Sequence, residues 1–180
     1  MKELDRIAWS ALRSGSDPNE IPVAIETLAQ TSDAAEAEKA YWRIDNNAVI
    51  QGGLYEVAPE TIAGLLSALC RSTDVGRKYI LELLVELASG EPRASEAELG
   101  NTGLPDVCAG EIARGAALYF DRLERGTMEE ALICVDLAGI CALHDEALKP
   151  RALWWFENLL SLDFCDNDKT LIRNWIGELT

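Results

Sequence analysis

Residues 59–91 read PETIAGLLSALCRSTDVGRKYILELLVELASGE. Within this stretch Ile62, Leu65, Leu66 and Leu69 recur at i, i+3, i+4 and i+7, which places them on one face of a helix. A second helix follows, with Ile80, Leu83, Leu84 and Leu87 on one stripe and Leu81, Val85 and Ala88 on another. That helix has too much apolar girth for one neighbour to cover, so the pattern predicts that it is sandwiched. Ser72, Thr73 and Asp74 lie between the two, each able to accept hydrogen bonds from the orphan amides of the second helix. Gly90 and Pro92 supply the stop. The short connection makes the two helices antiparallel.

The pattern I-x-x-L-L-x-x-L, a short turn, and then Gly76-Arg77-x-x-Ile80-Leu81-x-Leu83-Leu84-x-x-Leu87-Ala88 resembles a HEAT-like helical repeat. The resemblance is strongest over residues 59–91 and implies hairpins stacked as a short α-solenoid. A weaker echo sets residues 76–84 against residues 151–160. Leu84 and Leu160 stand 76 positions apart, about two units of roughly 40 residues. Gly53-Leu54-Tyr55 and Ala117-Leu118-Tyr119 precede the two segments in turn, so a duplicated pair of hairpins is expected.

The rest of the chain fits an all-α fold of antiparallel hairpins in a single domain over 1–180. At 180 residues such a domain buries about 70% of its unfolded surface. Period-two runs of Val, Ile and Thr are missing, and Ala, Leu and Glu dominate. A first helix is expected over 2–14, with Leu4, Ile7, Ala8 and Leu12 inward and Gly15 ending it. A second spans about 20–30, with Asn19 as N-cap and Pro22 in the first turn. Asp33 and Glu36 open a third that reaches Gln51. Thr127 and Glu130 form a capping box ahead of Cys134, Leu137, Ala138 and Cys141, a buried stripe. Pro150 opens a tryptophan-rich helix, and Asn167 or Asp168 caps the last. Residues 90–105 are expected to form a projecting loop or mobile flap.

Charge narrows the partner. Sixteen basic residues against thirty-one acidic ones leave a formal net charge of −15 and a pI near 4.4. Nucleic acid would be repelled rather than bound through counterion release, and an anionic membrane is disfavoured for the same reason. A basic protein would instead be steered toward this surface. Cys70, Cys108, Cys134, Cys141 and Cys165 are odd in number, contain no C-x-x-C pair and mostly occupy apolar helix positions, as small core residues in a reducing compartment do. Cys134 and Cys141 lie two helical turns apart, too far for a disulfide. With no charged leader before an apolar run and no membrane-length apolar segment, a cytoplasmic protein is expected.

Motifs for chemistry are missing. His144 is the one histidine, which rules out a two-histidine metal site, and its place near a helix end suits a C-terminal cation or cap. Neither a phosphate loop nor a dinucleotide fingerprint occurs. Asp163, Asp166 and Asp168 resemble a calcium loop but lack its glycine and closing glutamate, so helix capping explains them better. No cofactor or metal is expected.

Residues 41–55, YWRIDNNAVIQGGLY, are the least ordinary stretch. Asp45, Asn46 and Asn47 compete for backbone hydrogen bonds and so are poor helix-interior residues. They either bridge neighbouring turns within the stack or form a polar patch beside the aromatic anchor Trp42, as binding hot spots do. Gly52 and Gly53 permit a turn or a close helix approach. Among Trp9, Trp42, Trp154, Trp155 and Trp175, the adjacent pair is about 100° apart on a helix. Core positions are the expectation for these tryptophans, and Trp155 becomes a candidate contact if it is exposed.

Two classes of function compete. The first is an interaction module that neutralises a basic protein, in character similar to the small, acidic, motif-free bacterial immunity proteins that bind a toxin, commonly a nuclease. The second is a small-ligand binder or enzyme on a helical-repeat scaffold, and a generic assembly scaffold is a blander third. The partner-binding candidates are Trp42, Asp45, Asn46, Asn47, Glu82 and Glu86, the last two aligned by their i, i+4 spacing.

Overall fold

The computed structural model describes residues 1–180 and is predominantly α-helical. It divides within one helix into two compact units, residues 1–111 and 112–180. The first unit holds α1 (Lys2–Asp5), a 3-10 turn at Trp9–Ala11, α2 (Glu20–Gln30) and α3 (Ala34–Ala48). Strands β1 (Val49–Ile50) and β2 (Gly53–Leu54) follow, then α4 (Ala58–Leu69), α5 (Asp74–Ala88), β3 (Glu91–Pro92) and α6 (Ala94–Glu98). Helix α7 (Leu104–Arg114) contains the division. The second unit continues with α8 (Ala116–Arg125), α9 (Met128–His144), a 3-10 turn at Glu146–Leu148, α10 (Lys149–Leu159) and α11 (Asp166–Leu179).

The two helices expected in residues 59–91 are present as α4 and α5, which pack on each other. Thr73 caps α5, its hydroxyl accepting from the Gly76 amide at 3.1 Å. Ile62, Leu65 and Leu69 are buried on α4, with Leu66 half-buried. Both stripes of α5 are covered as well: Ile80, Leu81, Leu83, Leu84 and Leu87 are buried and Val85 half-buried, because α5 packs on α2, α3 and α4.

Helix α2 occupies the centre of this unit, touching α3, α4 and α5 and burying Ile21, Ala24, Ile25 and Leu28. Its junction with α5 is unusually tight. A Cβ placed on Gly76 would lie 1.8 Å from the Leu28 carbonyl oxygen, and the Thr73 hydroxyl donates to the Thr31 carbonyl at the end of α2. Only a residue without a side chain lets the first turn of α5 rest on the last turn of α2.

Several sequence expectations change. No helix spans 2–14: α1 ends at Asp5, and the Trp9 indole N–H donates to the Leu4 carbonyl at 2.9 Å, holding a turn in place of a continued helix. Ala8, expected inward, is exposed and Leu12 half-buried. Helix α3 stops at Ala48 rather than Gln51. Gln51 and Gly52 take positive φ values of 51° and 75°, the conformation of a two-residue hairpin turn between paired strands, and Val49 pairs with Leu54 and Ile50 with Gly53. Strand β3 adds in parallel beside β2. Residues 90–105 are therefore no projecting flap, since they hold β3 and α6. The Gly53-Leu54-Tyr55 and Ala117-Leu118-Tyr119 echo also falls on unlike structure, a strand in the first case and the interior of α8 in the second.

Helix α6 carries a carboxylate that is 1% exposed, Glu96. Arg13, from the irregular segment before α2, reaches it through two hydrogen bonds of 3.0 and 2.8 Å, and the Asn101 amide donates at 2.7 Å. Arg13 also pairs with Glu56 at 3.1 Å. The ion pair thus ties the segment preceding α2 to α6 and to the approach to α4.

In the second unit the predicted capping box forms: the Glu130 amide donates to Thr127 at 3.2 Å and the Thr127 amide to Glu130 at 3.1 Å. Helix α9 packs on α8, α10 and α11 and buries the expected stripe of Cys134, Leu137, Ala138 and Cys141. The Trp175 ring lies against Gly139, where a Cβ would come within 2.3 Å of it, and its indole N–H donates to Asp136 at 2.7 Å. Pro150 falls in the first turn of α10 as expected. Helix α11 starts two or three residues earlier than the expected cap at Asn167 or Asp168 implies, after Cys165 and with no side-chain cap. Asp166 and Asp168 instead lie in its first turn, favourable to the helix dipole.

All five cysteines are free thiols. Cys108, Cys134 and Cys141 are core residues, and burial pushes the Cys108 and Cys141 thiols up to about 12. Cys70 and Cys165, by contrast, are exposed. No helix is long and apolar enough to cross a membrane.

Gly76→Ala is expected to cost about 1–3 kcal/mol, read as a lower urea midpoint, because the obstacle is a backbone oxygen that cannot rotate aside. Glu96 gives a pH signature. The Arg13 hydrogen bonds hold its carboxyl below the ordinary glutamate range against the opposing effect of burial, with Asn101 assisting. Its stabilisation is complete above the unfolded-state value and disappears as pH falls through the folded one. Glu96→Gln is expected to lower the midpoint at neutral pH and to converge on the wild type in acid.

Candidate functional site

The helical spacing that buries Ala37, Ala40 and Ile44 of α3 turns Trp42 and Asn46 outward. Helix α5 lies beside α3 and presents Tyr79, Glu82 and Glu86 at i, i+3 and i+7, along one face. The two faces meet in an aromatic and acidic patch. The Tyr41 and Trp42 rings stand edge to face, with centroids 5.1 Å apart, and Tyr79 of α5 tilts against Tyr41 at 5.9 Å. Trp42 remains 51% exposed despite this contact.

The electrostatics are those of carboxylates gathered without enough cations. Burial raises the Asp45 carboxyl above the usual aspartate range, and the charge of Glu86 raises it further. The Tyr41 hydroxyl is pushed up to about 12, by burial first and then by Asp45, Glu86 and Glu82. Lys78 approaches Glu82 at 3.9 Å on their own helix. No basic side chain pairs with Asp45 or Glu86. The fold therefore holds Asp45 where its charge is disfavoured.

Five of the six candidate residues converge here. Trp42, Asp45 and Asn46 lie on α3 and Glu82 and Glu86 on α5. Asn46 donates its side-chain amide to the Trp42 carbonyl at 2.7 Å, and its Oδ1 accepts no hydrogen bond within the chain. Asn47 is the exception, being 1% exposed. Its side chain donates to the Arg43 carbonyl at 2.8 Å and accepts from the Ser16 amide at 3.2 Å, while its backbone carbonyl accepts from Gly15 at 2.9 Å. This is the bridging role, and it clamps the segment before α2 to the end of α3.

Tyr41 and Tyr79 join the patch without having been singled out. The signal for Tyr79 was its position one turn before Glu82 on the polar stripe of α5. Of the tryptophan pair on α10, Trp154 departs from the expected core position, being 56% exposed, while Trp155 is half-buried, their rings edge to face at 5.0 Å.

A depression of about 500 Å³ elsewhere on the first unit is lined by Thr27, Asp33, Ala35, Glu36, Lys39 and Arg43. Its two carboxylates already accept hydrogen bonds at the start of α3, Asp33 from the Glu36 amide at 2.8 Å and Glu36 from the Thr31 hydroxyl. No three His, Cys, Asp or Glu side chains are grouped to hold a metal ion. The chain matches no protein family, no curated protein and no solved structure.

Asp45→Asn separates the cost of this patch from its use. An acid whose folded-state value lies above its unfolded one opposes folding once ionised. The substitution is expected to raise the urea midpoint at neutral pH, and the gain is expected to vanish below the pH at which an ordinary aspartate titrates.

Proposed function

We propose that the chain is an acidic protein-binding module of the immunity type, its hairpins stacked as a short HEAT-like α-solenoid. It neutralises a basic toxin, commonly a nuclease, by binding it in the cytoplasm. The observation that carries this reading is the α3/α5 patch: a half-exposed indole beside Asp45 and Glu86, two carboxylates that repel one another with no cation of the chain between them. A basic partner supplies that cation. Its approach relieves the Asp45–Glu86 repulsion, so part of the electrostatic cost of folding is returned on binding.

The acidic excess is present in both units. A field of that sign steers a cationic partner at long range and is screened by salt, whereas an aromatic anchor such as Trp42 sets the lifetime of the complex. Occupation of the patch by a basic active-site rim would block access of phosphate groups to that rim, which is how a bound acidic protein silences a nuclease without chemistry of its own.

Affinity capture from native lysate at low and at high salt tests the reading. Wild-type protein is expected to retain a basic protein at low salt, to release it at high salt and to inhibit its activity. Trp42→Ala is expected to weaken the interaction by at least about tenfold. Recovery of no basic protein at either salt, or undiminished capture by a Trp42→Ala/Glu86→Gln variant, overturns it.

A further inference from the structure

The patch on α3 has a counterpart in the second unit. Trp42-Arg43-Ile44-Asp45-Asn46 and Trp154-Trp155-Phe156-Glu157-Asn158 share the pattern W-x-x-[D/E]-N. The likeness extends beyond spelling. In each, the residue two after the tryptophan, Ile44 or Phe156, is wholly buried and roots the helix in its core. In each the exposed indole stands edge to face against a neighbouring ring, Tyr41 at 5.1 Å and 89° or Trp155 at 5.0 Å and 86°. The asparagine amide donates back to the tryptophan carbonyl in both, at 2.7 Å for Asn46 and 2.6 Å for Asn158.

This local build has a chemical consequence. With an amide N–H bonded to the backbone, each asparagine keeps an Oδ1 that accepts no hydrogen bond of the chain, next in sequence to a carboxylate one residue earlier and an exposed indole one turn earlier. All three attract a donor-bearing cation. No cation of the chain occupies either position. Arg151, one turn before Trp154, lies instead over the Phe120 ring with its guanidinium carbon 4.2 Å from the centroid, and Glu157 forms no ion pair.

We propose that Trp154, Glu157 and Asn158 form a second contact that takes an arginine side chain of a basic protein, the guanidinium lying on the indole with its N–H groups directed to Glu157 Oε and Asn158 Oδ1. The assignment rests on the reading of the chain as a binder of basic protein. Arginine fits better than lysine because its planar, weakly hydrated head can stack on a ring and hydrogen-bond from its edge at the same time. The carboxylate supplies the charge complementarity, and the ring packing holds the indole ready before the partner arrives.

The five indole N–H resonances of the full chain, titrated with a short capped oligo-arginine peptide, read this directly. The Trp9 and Trp175 indoles donate internally to Leu4 and Asp136 and serve as references. The Trp154 resonance is expected to shift saturably, with affinity about tenfold weaker in Glu157→Gln and weaker again for the matched oligo-lysine peptide. Trp154→Ala leaves the net charge untouched, so its removal of one binding event cannot be assigned to the overall field.

A Trp154 signal that stays fixed while Trp42 shifts overturns the second contact and leaves the α3/α5 patch standing. The reverse result supports the second contact and removes the first. Both fixed overturns both. A Trp154 shift that is unchanged in Glu157→Gln, or that follows protein concentration without peptide and so marks a second copy of the chain as the occupant, also overturns the proposal.

Discussion

At the junction of α2 and α5 a helix backbone is met at 1.8 Å from the point where any side chain on Gly76 would begin. The contact has no room for compromise, because the opposing atom is the Leu28 carbonyl oxygen, held by its own helix. Thr73 reinforces it from both sides, its hydroxyl accepting from Gly76 and donating to Thr31. Together they set how closely α5 lies on α2 and, through α2, where α5 stands beside α3. The neighbourhood of Tyr79, Glu82 and Glu86 with Tyr41, Trp42 and Asp45 depends on that placement.

The two polar ties of the first unit have different work. Glu96 with Arg13 and Asn47 with Ser16 each pair a buried polar side chain with a more exposed partner, which converts the buried group from a liability into a fixed point of the fold. Asp45 and Glu86 are the opposite case: half-buried or exposed, unpaired and mutually repulsive. Removing a paired group costs stability, whereas neutralising Asp45 relieves a strain. The two kinds of group therefore act on folding with opposite sign.

The helices were readable wherever one local rule acted without competition. Thr127 and Glu130 closed their capping box, Asp33 and Thr73 capped as their spacing implied, and α5 was covered on both stripes because its apolar girth demanded two neighbours. Expectations failed where a distant contact outbid the local pattern. The periodicity of residues 2–14 suggested one helix, but the Trp9 indole took the Leu4 carbonyl and Arg13 was drawn toward Glu96. Gln51 looked helical until the pairing of Val49 and Ile50 with Leu54 and Gly53 placed it in the turn. Asn46 and Asn47 share a chemistry and a neighbourhood in sequence, yet 100° of helical rotation sends one to solvent and the other into the core.

From the order of residues alone come the helical class, the caps at Asp33, Thr73 and Thr127, most of the apolar faces and the excess of negative charge, since each depends on neighbours a few positions away or on composition. Which carboxylates lack a cation, which tryptophan of the pair Trp154 and Trp155 faces water, and which asparagine is buried as a tie follow only from packing. Those properties depend on distances between groups that are remote along the chain, and periodicity carries no record of them.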